Sequence, residues 1–144
     1  MKLTIYTDGG ARGNPGPAAI GVVIYQEGQP FKKYSEFIGT ATNNEAEYQA
    51  VIFALKKVKL LFGKKKAKKM EIEFFIDSEL IVKQINHQYK IKEENLQPLF
   101  IKVWNLMLDF DQIKFSHIPR EKNKEADRLL NQELDAQEKK QTLL

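Results

Sequence analysis

The chain has 144 residues, enough for one domain with a proper core, and its 42% hydrophobic and 29% charged content suits a folded soluble protein rather than a disordered one. It has no cysteine, which excludes a disulfide framework, a thiolate zinc site and a cysteine nucleophile. A net charge of +4 and a pI near 9.1 fit a nucleic-acid partner without demanding one. The N-terminus lacks the apolar stretch of a signal peptide and no run is long enough to span a bilayer, so a cytoplasmic, membrane-free monomer is expected.

Residues 2–8 read as a strand that stops at Asp8-Gly9-Gly10, and Gly13-Asn14-Pro15-Gly16-Pro17 is turn material. The β-branched run 18–25 is a second strand, Gln26-Glu27-Gly28-Gln29-Pro30 a hairpin turn, and 31–38 a third strand. A helix follows. Thr42 or Asn43 can cap it, and Ala50, Val51, Ala54, Leu55, Val58, Leu61 and Phe62 recur at helical spacing. The run Lys64, Lys65, Lys66, Lys68, Lys69 interrupts it.

Met70, Ile72, Phe74 and Ile76 then alternate as a strand ending at Asp77, and Ser78 can cap a short helix to about Asn86. A mixed-charge link leads to a helix over 96–108, a fifth strand over 112–118, and a last helix that Asn123 can cap. Trp104 reads as core or core-edge packing beside Val103 and Leu106. One domain is expected over 1–136, with 137–144 a frayed tail.

The order βββαβα(α)βα implies an α/β fold: three antiparallel strands, then parallel strands, in a five-stranded mixed sheet flanked by helices. Asp8 and Asp77 should then share one edge of the sheet, where ligand sites in such folds gather. Glu47 lies on the stripe the helix must bury, and Asp127 sits in the first turns of the last helix. Carboxylates facing one point repel one another, so a stable cluster implies cations. With oxygen ligands alone, Mg²⁺ or Mn²⁺ fit better than zinc. Taken singly, Asp8 and Asp77 could be turn residues and Asp127 a helix-start acid.

Five segments in register are Thr7-Asp8-Gly9-Gly10, Gly13-Asn14-Pro15-Gly16-Pro17, Thr42-Asn43-Asn44-Glu45-Ala46-Glu47, Ile76-Asp77-Ser78 and Asn123-Lys124-Glu125-Ala126-Asp127. Together they resemble type 1 ribonuclease H over nearly the whole chain. The resemblance implies the ribonuclease H-like fold and metal-dependent hydrolysis of the RNA strand of RNA–DNA hybrids, leaving 5′-phosphate and 3′-hydroxyl ends. It implies that Asp8, Glu47, Asp77 and Asp127 hold two Mg²⁺ ions, with Mn²⁺ a substitute, and that Asp8 bridges them. It points to Asn14, Asn43 and Asn44 near the 2′-hydroxyl and to Thr42 at a DNA-strand phosphate. His117, ten residues before Asp127, stands where many members place a histidine that assists water or product release.

Two features depart from that pattern. Ile118-Pro119-Arg120 replaces a glycine-containing loop, and the stretch 86–97 lacks the basic, tryptophan-bearing protrusion of several members. The lysine run is a candidate substitute grip, since each phosphate contact adds salt-dependent affinity. Double-stranded RNA, a DNA junction, or non-catalytic nucleic-acid binding remain alternatives on the same fold.

Overall fold

A computed structural model describes residues 1–143, and its sheet has the strand order β3-β2-β1-β4-β5. The strands are β1 (Lys2–Ala11), β2 (Gly16–Gln26), β3 (Gln29–Ala41), β4 (Glu71–Ile76) and β5 (Gln112–His117). The helices are α1 (Asn43–Ala67), α2 (Glu79–Ile85), α3 (Gln97–Met107) and α4 (Lys124–Thr142). β1, β2 and β3 form the expected antiparallel meander, while β4 pairs parallel with both β1 and β5. The β2–β3 hairpin turns at Glu27 and Gly28, both at positive φ, which matches the twist of the flanking strands.

α1 starts where its sequence says it should. Thr42 accepts from the Glu45 backbone N–H at 3.1 Å, and the Glu45 side chain accepts from the Thr42 N–H at 2.8 Å, a reciprocal capping box. Ala46, Ala50 and Ala54 are buried along the helix, so small side chains face the sheet and permit a close approach. Leu3, Ile5, Phe74 and Ile76 of the sheet join Val51, Leu55 and Val58 of α1 in the main core. α4 packs on the opposite face through Ala126, Leu129, Leu130 and Leu134.

Several expectations are corrected. β1 does not stop at Asp8 but continues to Ala11, with Gly9 and Gly10 opposite Ile20 and Ala19. Ladder pairing overrides the turn character of the glycine pair. The lysine run does not end α1; the helix bends at Gly63, at φ 84°, and resumes through Ala67. Residues 137–142, expected to be frayed, belong to α4, which Arg12 ties down by ion pairs to Asp135 and Glu138 at 2.7 Å each. Leu144 lies outside the described residues. Trp104 is 50% exposed rather than core, because α3 buries Leu99 and Val103 on another side. Among the described residues, no helix is long and apolar enough to cross a membrane.

Candidate active site

The parallel pairing of β1 with β4 ends at Thr7 and Ile76, which places Asp8 and Asp77 just past the last rung. β1 is also the strand where the sheet changes from antiparallel to parallel neighbours. Crevices at the carboxyl ends of strands beside such a switch are where open α/β sheets receive ligands.

Two flanking helices bring further carboxylates to this point, and glycines let them come close. A Cβ on Gly9 would overlap the Ala46 backbone of α1, and one on Gly21, the partner of Asp8 across the ladder, would overlap the Ala126 carbonyl of α4. α1 thereby delivers Glu47, whose Oε1 accepts from the Gly9 N–H at 3.3 Å. α4 delivers Asp127 to the wall of the same cavity, which has a volume of about 440 Å³.

The structure brings Asp8, Glu47 and Asp77 together, one ligand oxygen of each lying within 4.8 Å of the others. Asp8 is 6% exposed and Glu47 7%. Glu47 Oε2 is buried without a hydrogen-bond partner. Burial raises the Asp8 carboxyl from 3.8 to about 7, with repulsion from Asp77 and Asp127 adding to the effect. Burial and then the Asp8 charge hold Glu47 well above the usual carboxylate range. Asp77 is also raised, by burial foremost, against opposing pulls from Asn123 and the Arg120 guanidinium.

This arrangement could hold a cation. Three carboxylates with unpaired oxygen capacity, mutually repelling in a buried crevice, are stabilised by divalent charge more than by any ligand the chain itself supplies. Among the described residues the three groups that could hold an ion are all carboxylates, and oxygen ligands suit hard ions. Asp127 is exposed at the rim and outside the tight trio, with its Oδ1 accepting from Asn131 Nδ2 at 3.2 Å.

The remaining predicted residues occupy different roles. Asn43 and Asn44 line the cavity, whereas Asn14 and Thr42 do not. Asn14 Oδ1 accepts from the Asn43 N–H, and Asn43 Oδ1 accepts from the Ala11 N–H, each at 2.9 Å, so these side chains brace the β1–β2 loop against the start of α1. His117 ends β5, is exposed, and does not line the cavity. The lysine run lies beyond Gly63 at the far end of α1, about 25 Å along the helix from Glu47 at 1.5 Å per residue. Distance removes it from the immediate grip of the reacting group.

Sequence reasoning missed three contributors. Asn123 sits just before α4, at the cap position, but makes no cap there; its Nδ2 donates to the Thr7 carbonyl at 2.9 Å, and it is buried. Arg12 and Arg120 line the cavity as its cationic side chains. Arg12 is engaged with Asp135 and Glu138, which leaves Arg120 facing Asp77. The type of residue alone carried no signal for these contacts, which span more than a hundred positions for Asn123 and Arg12.

Comparison with known proteins agrees with the architecture. A family profile described as reverse transcriptase-like matches residues 6–133. The crystal structure of LC11-RNase H1 in complex with RNA/DNA hybrid is 48% identical, covers 90% of this chain and 94% of that one, and superposes with a TM-score of 0.84. RNase H1 from the halophilic archaeon Halobacterium salinarum is 35% identical over 94% of this chain and 99% of that one, with a TM-score of 0.87. A bifunctional protein of Mycobacterium tuberculosis is 37% identical over 138 residues, which is 94% of this chain and 36% of that protein. The chain thus spans about a third of that longer curated relative. With the sheet order, the match across nearly all its residues and two close structural counterparts in agreement, the chain belongs to the type 1 ribonuclease H family.

Proposed function

We propose that this chain is a metal-dependent endoribonuclease that hydrolyses the RNA strand of RNA–DNA hybrids, leaving 5′-phosphate and 3′-hydroxyl ends. The observation that carries it is the trio Asp8, Glu47 and Asp77, the first two buried and the third half-buried, with an unpartnered Glu47 oxygen, in a cavity on a fold shared with an enzyme crystallised on an RNA/DNA hybrid.

The residues present fit a divalent pair. Asp8, central in the cluster, would bridge; Glu47 and Asp77 would hold one ion, and Asp127 at the rim would help hold the other. When bound, such ions activate the attacking water and neutralise the leaving oxygen. The chain's own contribution is to orient the carboxylates and keep the crevice partly dry. The Gly9 N–H fixes one Glu47 oxygen, Asn123 anchors the Thr7 carbonyl beside Asp8, and the Arg120 guanidinium beside Asp77 offsets carboxylate charge that would repel a phosphate.

Choice of RNA requires hydrogen-bond partners for the 2′-hydroxyl. Asn14 and Asn43 spend their carbonyl oxygens on backbone N–H groups, and among the described residues their Nδ2 groups make no hydrogen bond. The Asn43 amide, with Asn44 on the cavity wall, would supply donors beside the acids, while Asn14 would act from the adjoining loop outside the cavity lining. Thr42, used by the capping box, would meet a DNA-strand phosphate at the positive end of α1.

The test is incubation with labelled hybrid, duplex RNA and duplex DNA, each with Mg²⁺, Mn²⁺ or chelator, beside Asp77→Asn. Metal-dependent cleavage of the RNA strand of the hybrid, lost in the variant, is the expected result. Cleavage of duplex RNA in preference to the hybrid would replace the substrate while keeping the chemistry. Binding without cleavage under either metal would overturn the enzyme.

A further inference from the structure

α1 carries Glu47 and α2 follows directly from Asp77, so the spacing of two carboxylates depends on how these helices sit against each other. The residue after Glu47 is Tyr48, a fully buried side chain whose hydroxyl donates to Gln84 Oε1 of α2 at 2.8 Å. Gln84 is itself 2% exposed. Among the described residues this is the one side-chain hydrogen bond joining α1 to α2. The rest of the contact is apolar, with Ile81, Val82 and Ile85 of α2 in the same core as Val51 and Leu55 of α1.

Those two kinds of contact differ in what they fix. Apolar packing is non-directional and tolerates a small slide of one helix along another. A hydrogen bond has a preferred length and angle and does not. A buried polar pair is also costly to retain where two apolar side chains would pack, so its use here calls for a role in specifying geometry.

We propose that the Tyr48–Gln84 hydrogen bond is a positioning strut that sets the register of α1 against α2, and with it the Glu47–Asp77 spacing required by a small divalent cation. The proposal rests on the metal-site reading above. Mg²⁺ demands near-ideal octahedral geometry at 2.0–2.1 Å, whereas Ca²⁺ accepts irregular shells at longer distances. Loosening the strut therefore penalises Mg²⁺ selectively. A residue that merely stabilised the fold would not discriminate between the two ions.

The experiment titrates Mg²⁺ and Ca²⁺ into the full chain, following the amide resonances of Gly9 and Gly10, for wild type, Tyr48→Phe and the double variant Tyr48→Phe/Gln84→Leu. Thermal unfolding is recorded alongside. Tyr48→Phe strands the Gln84 oxygen, while the double variant replaces both partners and removes that penalty. The expected result is a loss of about tenfold in Mg²⁺ affinity in both variants, the lower end of what supporting residues cost a metal site. Ca²⁺ affinity changes by less than about twofold. The double variant regains the Tm that Tyr48→Phe loses but not the Mg²⁺ affinity. Recovery of Mg²⁺ affinity together with Tm, or equal losses for both ions, would show a purely structural pair and overturn the strut. Variants that bind as wild type does overturn it too. A wild-type chain that binds neither ion overturns the metal-site reading itself, a distinguishable failure.

Discussion

Raising the pH without divalent cations should weaken this fold, the reverse of ordinary acid denaturation. Burial lifts the Asp8 carboxyl from 3.8 to about 7, and Glu47 moves in the same direction for the same first cause. A carboxyl whose folded pKa lies above its unfolded value binds more protons in the native state. Its stabilisation is complete below about pH 4 and is lost as pH climbs through about 7. Between pH 5 and 7 Asp8 alone accounts for somewhat less than two units at 1.36 kcal/mol each, about 2 kcal/mol, because it is already half ionised at the upper end. Because Asp8 and Glu47 titrate as a pair, the transition is spread over two steps. Unfolding in chelator, followed by circular dichroism from pH 5 to 8, should show Tm falling by roughly 5–10 °C. Mg²⁺ at ten times its Kd should return about 1.4 kcal/mol. At one fixed Mg²⁺ concentration that return should grow with pH, because binding displaces protons. Asp8→Asn should flatten the chelator profile. A stability that is flat or rising from pH 5 to 7 in chelator would refute the reasoning, since it would mean the carboxylates ionise as though hydrated.

Three other substitutions probe the frame around the site. Gly9→Ala should destabilise by about 3 kcal/mol, because the new Cβ overlaps the Ala46 backbone and forces α1 outward; urea unfolding measures it. Single-turnover cleavage by the same variant should fall by about 100-fold, the usual consequence of misplacing reacting groups by an ångström. Arg12→Ala breaks ion pairs whose acidic partners are 67% and 61% exposed, so the global cost should stay below about 1 kcal/mol. Its local signature should be faster amide exchange over 135–142, leaving the core protected. Trp104→Ala should cost about 0.5 kcal/mol or less, as for a surface position; a loss of several kcal/mol would place the indole in the core after all.

Much of the fold is legible in local chemistry. The Thr42-x-x-Glu45 capping box, the Ser78 cap, the Glu-Gly hairpin and the alternating apolar residues of β4 all act within a few residues of themselves. Glu47 stands out because a charged side chain on a buried stripe needs a reason. What escapes local reasoning is set by partners far away in sequence. Gly9 and Gly10 look like a turn until Ile20 and Ala19 pair with them. Asn123 has the right type and place for a helix cap, but the buried Thr7 carbonyl, 116 residues earlier, claims its amide. The end of α4 reads as a frayed tail because the residue that holds it, Arg12, lies in the first loop. Nothing local marks Tyr48, whose hydroxyl gains meaning only once Gln84 is across from it.

Asp8 and the two glycines near it show why the acids converge where they do. Successive side chains of a strand point to opposite faces, so Gly9 presents its bare backbone to α1 while Asp8 points the other way. Gly21, opposite Asp8 on β2, presents its own to α4. Both flanking helices therefore reach backbone contact with the sheet at the level of one carboxylate, each from its own side. Any side chain at either glycine would hold its helix off, and Glu47 or Asp127 would recede from Asp8 with it. A carboxylate cluster on side chains as short as aspartate has little reach to spare. The backbone must come close first, and in this chain the absence of two Cβ atoms makes that possible. Burial raises the Asp8 and Glu47 carboxyls and repulsion within the cluster adds to it; that repulsion is the electrostatic counterpart of the closeness and a reason a cation would bind there.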